Sequence, residues 1–572
     1  MTYLSAKHRK EAGVHYTPKI LADFVTKQIL NSWLSKPRTK QIRLLDPAVG
    51  DGQLLLSLLE GLWTRNYSDI KVSGFDTSKA AVESARIKIQ ESFSEISLEL
   101  ACDDFLEFVL MNYAPNGQYS LFTTGPREPF DIVIANPPYV RTQVMGKEKA
   151  QTIARQFSLS GRVDLYYAFI AGIAHILRPG GIAGIIVSNR FLTTKSGASV
   201  RKSIIEKFNI LHIWDLGDTR LFEAAVLPAV LLLERKTGKE QTSPKFTSIY
   251  SVSDVNPDQY SENVIAALEK DGIIEVENGN CYCVQQGNLK YGKNPAKVWS
   301  VITEDSEGWL ARVKENTFCT FGDVGKIRVG VKTTADKVFI RSNWQQMPEG
   351  ERPELLRPLT THHIAQRFKA IRPKNQREIL YPHQVINGKR IAVNLHDYPR
   401  AAKYLHFYRS VLEKREYVLK AGRQWYEIWV PQDPEAWKHP KVVFRDITEK
   451  PTFWMDLSGS VVNGDCYWLV AKKPEQVDLL WLILAIGNSS FIESFYDYKF
   501  NNKLYAGRRR FITQYVEKFP LLDPDTEISQ HIIRTTKNIY DLIPSSKSSA
   551  MEQKLDQLVW EAFDLSGEKI AG

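Results

Sequence analysis

Apolar positions in the first 240 residues fall in short runs that stop at polar or glycine-rich tips. The run Asp131-Ile132-Val133-Ile134-Ala135 reads as a buried parallel strand. Asn136-Pro137-Pro138-Tyr139 ends it, because two prolines cannot continue a ladder and force the backbone into a fixed, extended turn. Leu44-Leu45-Asp46 and Val72-Ser73-Gly74-Phe75-Asp76 have the same form, and Cys102-Asp103-Asp104 supplies a third acidic tip. Amphipathic helical stretches alternate with these strands as far as Leu233-Glu234, which predicts an α/β doubly wound sheet. The polar, breaker-rich stretch Thr237–Pro244 predicts a linker, dividing the chain into residues 1–240 and 241–572. Residues 245–525 carry shorter strands and helices with many aromatics, which predicts a mixed α+β domain. Leu555, Leu558, Val559 and Phe563 then fall at helical spacing and predict a core-packing helix.

Composition narrows the class without deciding it. The 572 residues are 43% hydrophobic, enough to bury several cores. The net charge of +10 is spread evenly: residues 1–240 hold 30 basic against 24 acidic side chains, and the remainder 45 against 41. Binding to a polyanion would therefore rest on local clusters. The five cysteines sit at 102, 281, 283, 319 and 466, with no disulfide framework in their spacing. Cys281-Tyr282-Cys283 lacks a second pair or nearby histidines, so no metal site is expected. The N-terminus has no signal-peptide core and no apolar run is long enough to span a bilayer, which predicts a cytoplasmic protein.

The strand tips carry the candidate chemistry. Asp46-Pro47-Ala48-Val49-Gly50-Asp51-Gly52 lies between a strand and a helix, so Gly50 and Gly52 can bring backbone N–H groups close to a ligand. Asp76 stands about 25 residues further on, where a doubly wound sheet holds ribose hydroxyls. Asp103 or, next to Phe105, Asp104 could accept from an adenine amino group while Phe105 packs on the ring; the alternative for each acidic tip is a helix cap. Asn136, the Pro137 carbonyl and Tyr139 together offer two acceptors and a ring, suited to a flat base with an exocyclic amine.

This order of motifs resembles the γ arrangement of the S-adenosyl-L-methionine-dependent DNA adenine-N6 methyltransferases. Gly13-Val14-His15-Tyr16-Thr17-Pro18, Gly161-Arg162-Val163-Asp164-Leu165-Tyr166, Leu177-Arg178-Pro179-Gly180-Gly181, Ile185–Phe191 and Leu221-Phe222-Glu223-Ala224-Ala225 are similar to further motifs of that family. The likeness implies a Rossmann-like methyltransferase sheet followed by a target-recognition domain. It implies that Tyr16, Thr17, Pro18, Asp46, Ala48, Gly50, Gly52, Asp76, Asp104, Phe105, Asn136 and Pro138 hold the cofactor. It makes Asn136, Pro137, Pro138 and Tyr139 the catalytic set, with Tyr139 and Phe222 around a flipped adenine. Its extension through the C-terminal half implies double-stranded DNA as substrate, A-T-C-G-A-T as target and a separate restriction endonuclease as functional partner. RNA, a protein glutamine amide, or a catalytically silent DNA-binding role are the alternatives.

In the C-terminal half, three segments interleave basic, amide and aromatic side chains: Gly330–Phe339, Lys420–Tyr426 and Asn501–Gly507. With the run Arg508-Arg509-Arg510, they make Lys332, Thr333, Arg423, Lys503, Arg508, Arg509 and Arg510 the expected DNA contacts. Lys7-His8-Arg9-Lys10 is a second basic cluster.

Overall fold

A computed structural model describes residues 17–565 apart from 36–40, 114–127, 141–145, 162, 223–226, 239–242, 254, 291–293, 295, 297–298, 303, 374 and 501–507. The described residues through Glu304 form one compact unit, and most of those from Asp305 onward form a second.

The first unit is built on strands β1 (Ile42–Asp46), β2 (Ile70–Asp76), β3 (Ser97–Cys102), β4 (Phe130–Ala135), β5 (Leu177–Ser188), β6 (Phe208–Asp215) and β7 (Pro228–Arg235). They lie in the order 3-2-1-4-5-7-6. The first five are parallel, whereas β7 runs antiparallel to β5 and β6. The order reverses between β1 and β4, so the carboxyl ends of these neighbours diverge into a crevice. Alternation divides the core into two layers. Leu44, Ile132, Ile134 and Ile182 pack with helices α1 (Lys19–Trp33), α2 (Gln53–Trp63) and α3 (Lys79–Ser92). Leu45, Val133, Ala135 and Ala183 pack on the other face with α4 (Phe105–Tyr113), α5 (Leu165–Ile176) and α6 (Ala198–Lys207). Both faces are covered, which is why these strands are nearly continuous in apolar residues.

The expected boundary at residue 240 falls inside this sheet. Strand β8 (Lys245–Val252) joins parallel to β6, with Trp214 opposite Thr247. Strands β9 to β11 (Gln259–Ser261, Gly272–Val276, Cys281–Lys290) extend the same edge. Phe246 and Ile249 are buried in the two layers. The polar stretch after β7 is thus a connection within the sheet, and the unit ends at Glu304.

The second unit has two cores. A five-stranded sheet, ordered Gly325–Val329, Cys466–Ala471, Lys441–Arg445, Phe453–Asp456 and Phe368–Lys369, packs against Val477–Gly487, Glu527–Leu542 and Ser548–Ala562. Leu555, Val559 and Phe563 at the end of the chain are buried there. Trp344, Tyr381, Trp437, Trp454 and Trp468 form the other core, with Leu359 and Val461 of a four-stranded sheet. No single described helix is long and apolar enough to cross a membrane.

Candidate active site

The carboxyl ends of β1 to β4 enclose a cavity of about 300 Å³, at the lower end of the range for small-molecule sites. Ala48 and Gly50 from the first turn line it, with Asp76, Asp103, Asp104, Phe105 and all four residues of Asn136–Tyr139. The structure therefore brings together most of the side chains expected from the first unit.

The glycine turn is fixed from several sides. Gly50 and Gly52 have φ of 52° and 80°, a left-handed backbone that favours glycine. Asp76 Oδ2 accepts from Gly50 N–H at 3.0 Å and Oδ1 accepts from Ser78 N–H at 2.8 Å, tying the tip of β2 to the turn. Asp46 is fully buried; its Oδ1 accepts from Ala48 N–H at 2.9 Å, while Oδ2 has no hydrogen-bond partner among the described residues. Burial, aided by the neighbouring Asp76 and Asp51, pushes the Asp46 carboxyl up to about 8. Asp104 Oδ1 accepts from Leu106 N–H at 2.8 Å and so caps α4, and Asp103 Oδ1 accepts from Asp104 N–H at 2.8 Å. The cap and a ligand contact are compatible, because both carboxylates line the cavity. Phe105 is buried beneath them, 5.4 Å from the Phe169 ring.

Asn136 is held at both ends of its amide. Its Nδ2 donates to Thr17 Oγ1 at 3.0 Å, and its Oδ1 accepts from the Tyr139 hydroxyl at 2.8 Å. Thr17 thus fixes which end of the amide faces Tyr139, a role its expected cofactor contact did not include. Burial holds the Tyr139 phenol well above its ordinary range, so it remains a donor. Pro18 precedes α1. Tyr16 lies outside the described residues.

Phe222 is buried in the layer of α1 to α3 and does not line the cofactor cavity. The turn leading to it is anchored by Asp215, which accepts from the Tyr250 hydroxyl at 2.7 Å, Asn189 Nδ2 at 3.0 Å and Gly217 N–H at 3.2 Å. Burial raises the Asp215 carboxyl above its usual range. Sequence reasoning missed this network, as it missed Lys149, Leu165 and Phe169 on the cavity wall. Of these, Leu165 alone lies within a motif that the sequence singles out.

The signature of the Eco57I restriction-modification methylase family matches residues 29–222, and that of the TaqI-like C-terminal specificity domain matches residues 383–521. The type II methyltransferase M.BanIII of Aneurinibacillus aneurinilyticus is 38% identical over 571 residues, 97% of either chain. The chain belongs to the type II restriction-modification methyltransferases. M.BstVI of Geobacillus stearothermophilus is 24% identical over 590 residues, covering 98% of this methyltransferase and 97% of that one. Among solved structures, the type IIL restriction-modification enzyme MmeI in complex with DNA has the same fold over 99% of this chain and 78% of that chain (TM-score 0.63, 12% identical).

The cofactor of this methyltransferase is S-adenosylmethionine, and the cavity suits it. The tips of β2 and β3 present the carboxylates of Asp76, Asp103 and Asp104 to it, Phe105 adds an aromatic wall, and the left-handed glycine turn lets the backbone at Ala48 and Gly50 border the cavity closely.

The expected DNA contacts of the second unit divide by environment. Lys332 and Arg508 are exposed. Thr333 is buried, its hydroxyl bonded to Asp336 and accepting from Ala335 N–H at 3.1 Å, so it shapes the loop. Arg423 donates to the Trp429 carbonyl at 2.6 Å and lies 4.9 Å from that ring. Arg509 forms a two-pronged pair with Asp497 at 2.8 and 2.7 Å and is largely buried. Arg510 pairs with Asp446 at 3.1 Å while remaining half exposed. Thr333, Arg423 and Arg509 thus serve the unit's own structure. Lys503 and Lys7–Lys10 lie outside the described residues.

Proposed function

We propose that this methyltransferase transfers a methyl group to N6 of a flipped adenine within a short duplex sequence, with A-T-C-G-A-T as the first target to test. The observation that carries the reading is the Asn136 amide, buttressed by Thr17 and turned toward Tyr139 at the mouth of the cofactor cavity. When bound, S-adenosylmethionine supplies an electrophilic methyl group with a neutral thioether as leaving group.

Adenine N6 is a weak nucleophile because its lone pair is delocalised into the ring. No carboxylate base is needed if two acceptors bond both N–H groups and draw the nitrogen toward tetrahedral geometry. The Asn136 Oδ1 and the Pro137 carbonyl are those acceptors, and Tyr139 stacks on the base. Oδ1 is occupied by the Tyr139 hydroxyl before a base enters. Entry therefore exchanges that bond for one from the amino group, leaving the phenol ring as the stacking face. The rate gain comes from orientation and fixed dipoles. The target atom is inaccessible in a stacked duplex, so the base leaves the helix. The proton left on N6 after transfer departs to water.

Asp46, Ala48, Gly50, Gly52, Asp76, Asp104 and Phe105 hold the cofactor, with Pro138 supporting it. The enzyme acts in the cytoplasm and protects DNA from a separate endonuclease of the same specificity. Asn136→Ala tests the reading: methyl transfer should fall by orders of magnitude while cofactor binding changes little. Transfer at the wild-type rate would contradict it. Competition with RNA and with glutamine-containing protein tests the substrate class.

A further inference from the structure

Three segments leave one edge of the second unit side by side. Strand Leu356–Thr360 runs parallel to Val461–Val462, with Thr360 opposite Val462. Beyond it, Asn463 N–H donates to the Thr360 carbonyl at 2.8 Å. On the other side Val331 bridges Asn463 in parallel and donates to the Val462 carbonyl at 2.8 Å. Lys332–Thr334, Thr361–His363 and Asn463–Asp465 therefore emerge together. Two glycines lock them: a Cβ on Gly330 would lie 2.0 Å from the Asn463 carbonyl oxygen, and one on Gly464 would lie 2.7 Å from that of Val331. Backbone hydrogen bonds and close approach make this a rigid edge, as accurate reading requires.

The side chains on it are those that nucleic acid bonds. Lys332 is exposed and its ammonium has no partner among the described residues. The Asn463 side-chain amide, half-buried, likewise bonds no described residue. His362 and His363 stand 3.9 Å apart, with His362 Nδ1 bonded to Asp465, the one carboxylate in the three segments. Arg377 and Arg445 act electrostatically on His363, and Arg445 Nε is buried without a hydrogen-bond partner among the described residues. Burial and these neighbouring cations hold the exposed His363 below the usual histidine range, leaving an imidazole able to donate and accept. A positive edge carrying an uncommitted amide and imidazole matches a phosphate backbone beside base edges. An asparagine amide pairs with the N6 and N7 edge of adenine, and a lysine with phosphate.

We propose that this edge reads the DNA target, with Asn463 and His363 facing base pairs and Lys332 a phosphate. The proposal rests on the DNA reading above and adds Asn463 and His363, which that reading left open, to the expected contact Lys332. The test uses the full-length enzyme with S-adenosylmethionine and duplexes carrying every single substitution of the target, at several salt concentrations. Unchanged thermal melting and cofactor affinity establish that each variant is folded. Asn463→Ala should lose discrimination at one base pair by roughly 5- to 150-fold. Lys332→Ala should weaken binding to all sequences alike and lower the salt slope by about one. Wild-type preference and salt slope in both variants, with methylation intact, would overturn this inference alone. Failure of the wild-type enzyme to methylate any DNA would overturn the parent reading and this one with it.

Discussion

Replacing Asp46 by asparagine probes the charge beneath the glycine turn. In the folded chain its carboxyl ionises at about 8 because it is buried, with Asp76 and Asp51 adding to the effect. An unfolded aspartate ionises at about 4, so at pH 7 about 0.9 of the folded molecules hold a proton here that the unfolded chain has lost. The folded state binds more protons between about pH 4 and 8, so this group lowers stability as pH rises through that window. The slope approaches about 1.4 kcal/mol per pH unit and levels off above the folded value. A cation bound nearby favours the ionised carboxylate. Binding of the sulfonium cofactor at pH 7 should therefore release part of a proton from Asp46, at most about one. Isothermal titration calorimetry in two buffers of unequal ionisation enthalpy counts that proton. The substituted amide keeps an acceptor for Ala48 N–H, now at 2.9 Å from the carboxylate Oδ1, but cannot ionise. Asp46→Asn should abolish the proton release and flatten the affinity across roughly pH 6 to 8. Equal proton release in both proteins would refute the argument.

Three further outcomes are expected. Tyr139→Ala should weaken capture of the flipped base by roughly 1–3 kcal/mol, whereas Tyr139→Phe keeps the ring and loses the hydroxyl's bond to Asn136; fluorescence of 2-aminopurine at the target position reads both. Lys441→Ala removes the ammonium 3.1 Å from the buried Asp456 but leaves Arg372 at 3.4 Å and the serine hydroxyls, so the loss should stay below the roughly 3–5 kcal/mol of a fully unpaired buried charge, seen as a lower melting temperature. Gly52→Ala forces a side chain onto φ of 80° with its Cβ 3.0 Å from that of Ala85, so cofactor affinity should fall in equilibrium dialysis.

Legibility followed the range of the interactions. The strand before Asn136 was readable because burial on both faces demands a continuous apolar run, and two prolines mark its end. The acidic tips were readable because β2 and β3 each lead into a carboxylate at the start of the next turn. The Thr17–Asn136 bond was not, since its partners are 119 residues apart. The stretch Thr237–Pro244 misled because a connection between two strands of one sheet and a linker between domains share one composition. The basic residues of the second half misled for a related reason. Arg509 and Arg423 look like phosphate ligands until the fold brings Asp497 and the Trp429 carbonyl to them. Asn463 carried no local signal, because its importance arises only where three distant segments meet.

The central claim is most directly tested by transferring labelled methyl groups from S-adenosylmethionine to unmethylated plasmid DNA and mapping the modified bases. N6-methyladenine confined to one short motif, and lost in Asn136→Ala with cofactor binding retained, is the predicted result. Methylation of cytosine, of RNA or of protein in place of adenine in DNA would contradict it.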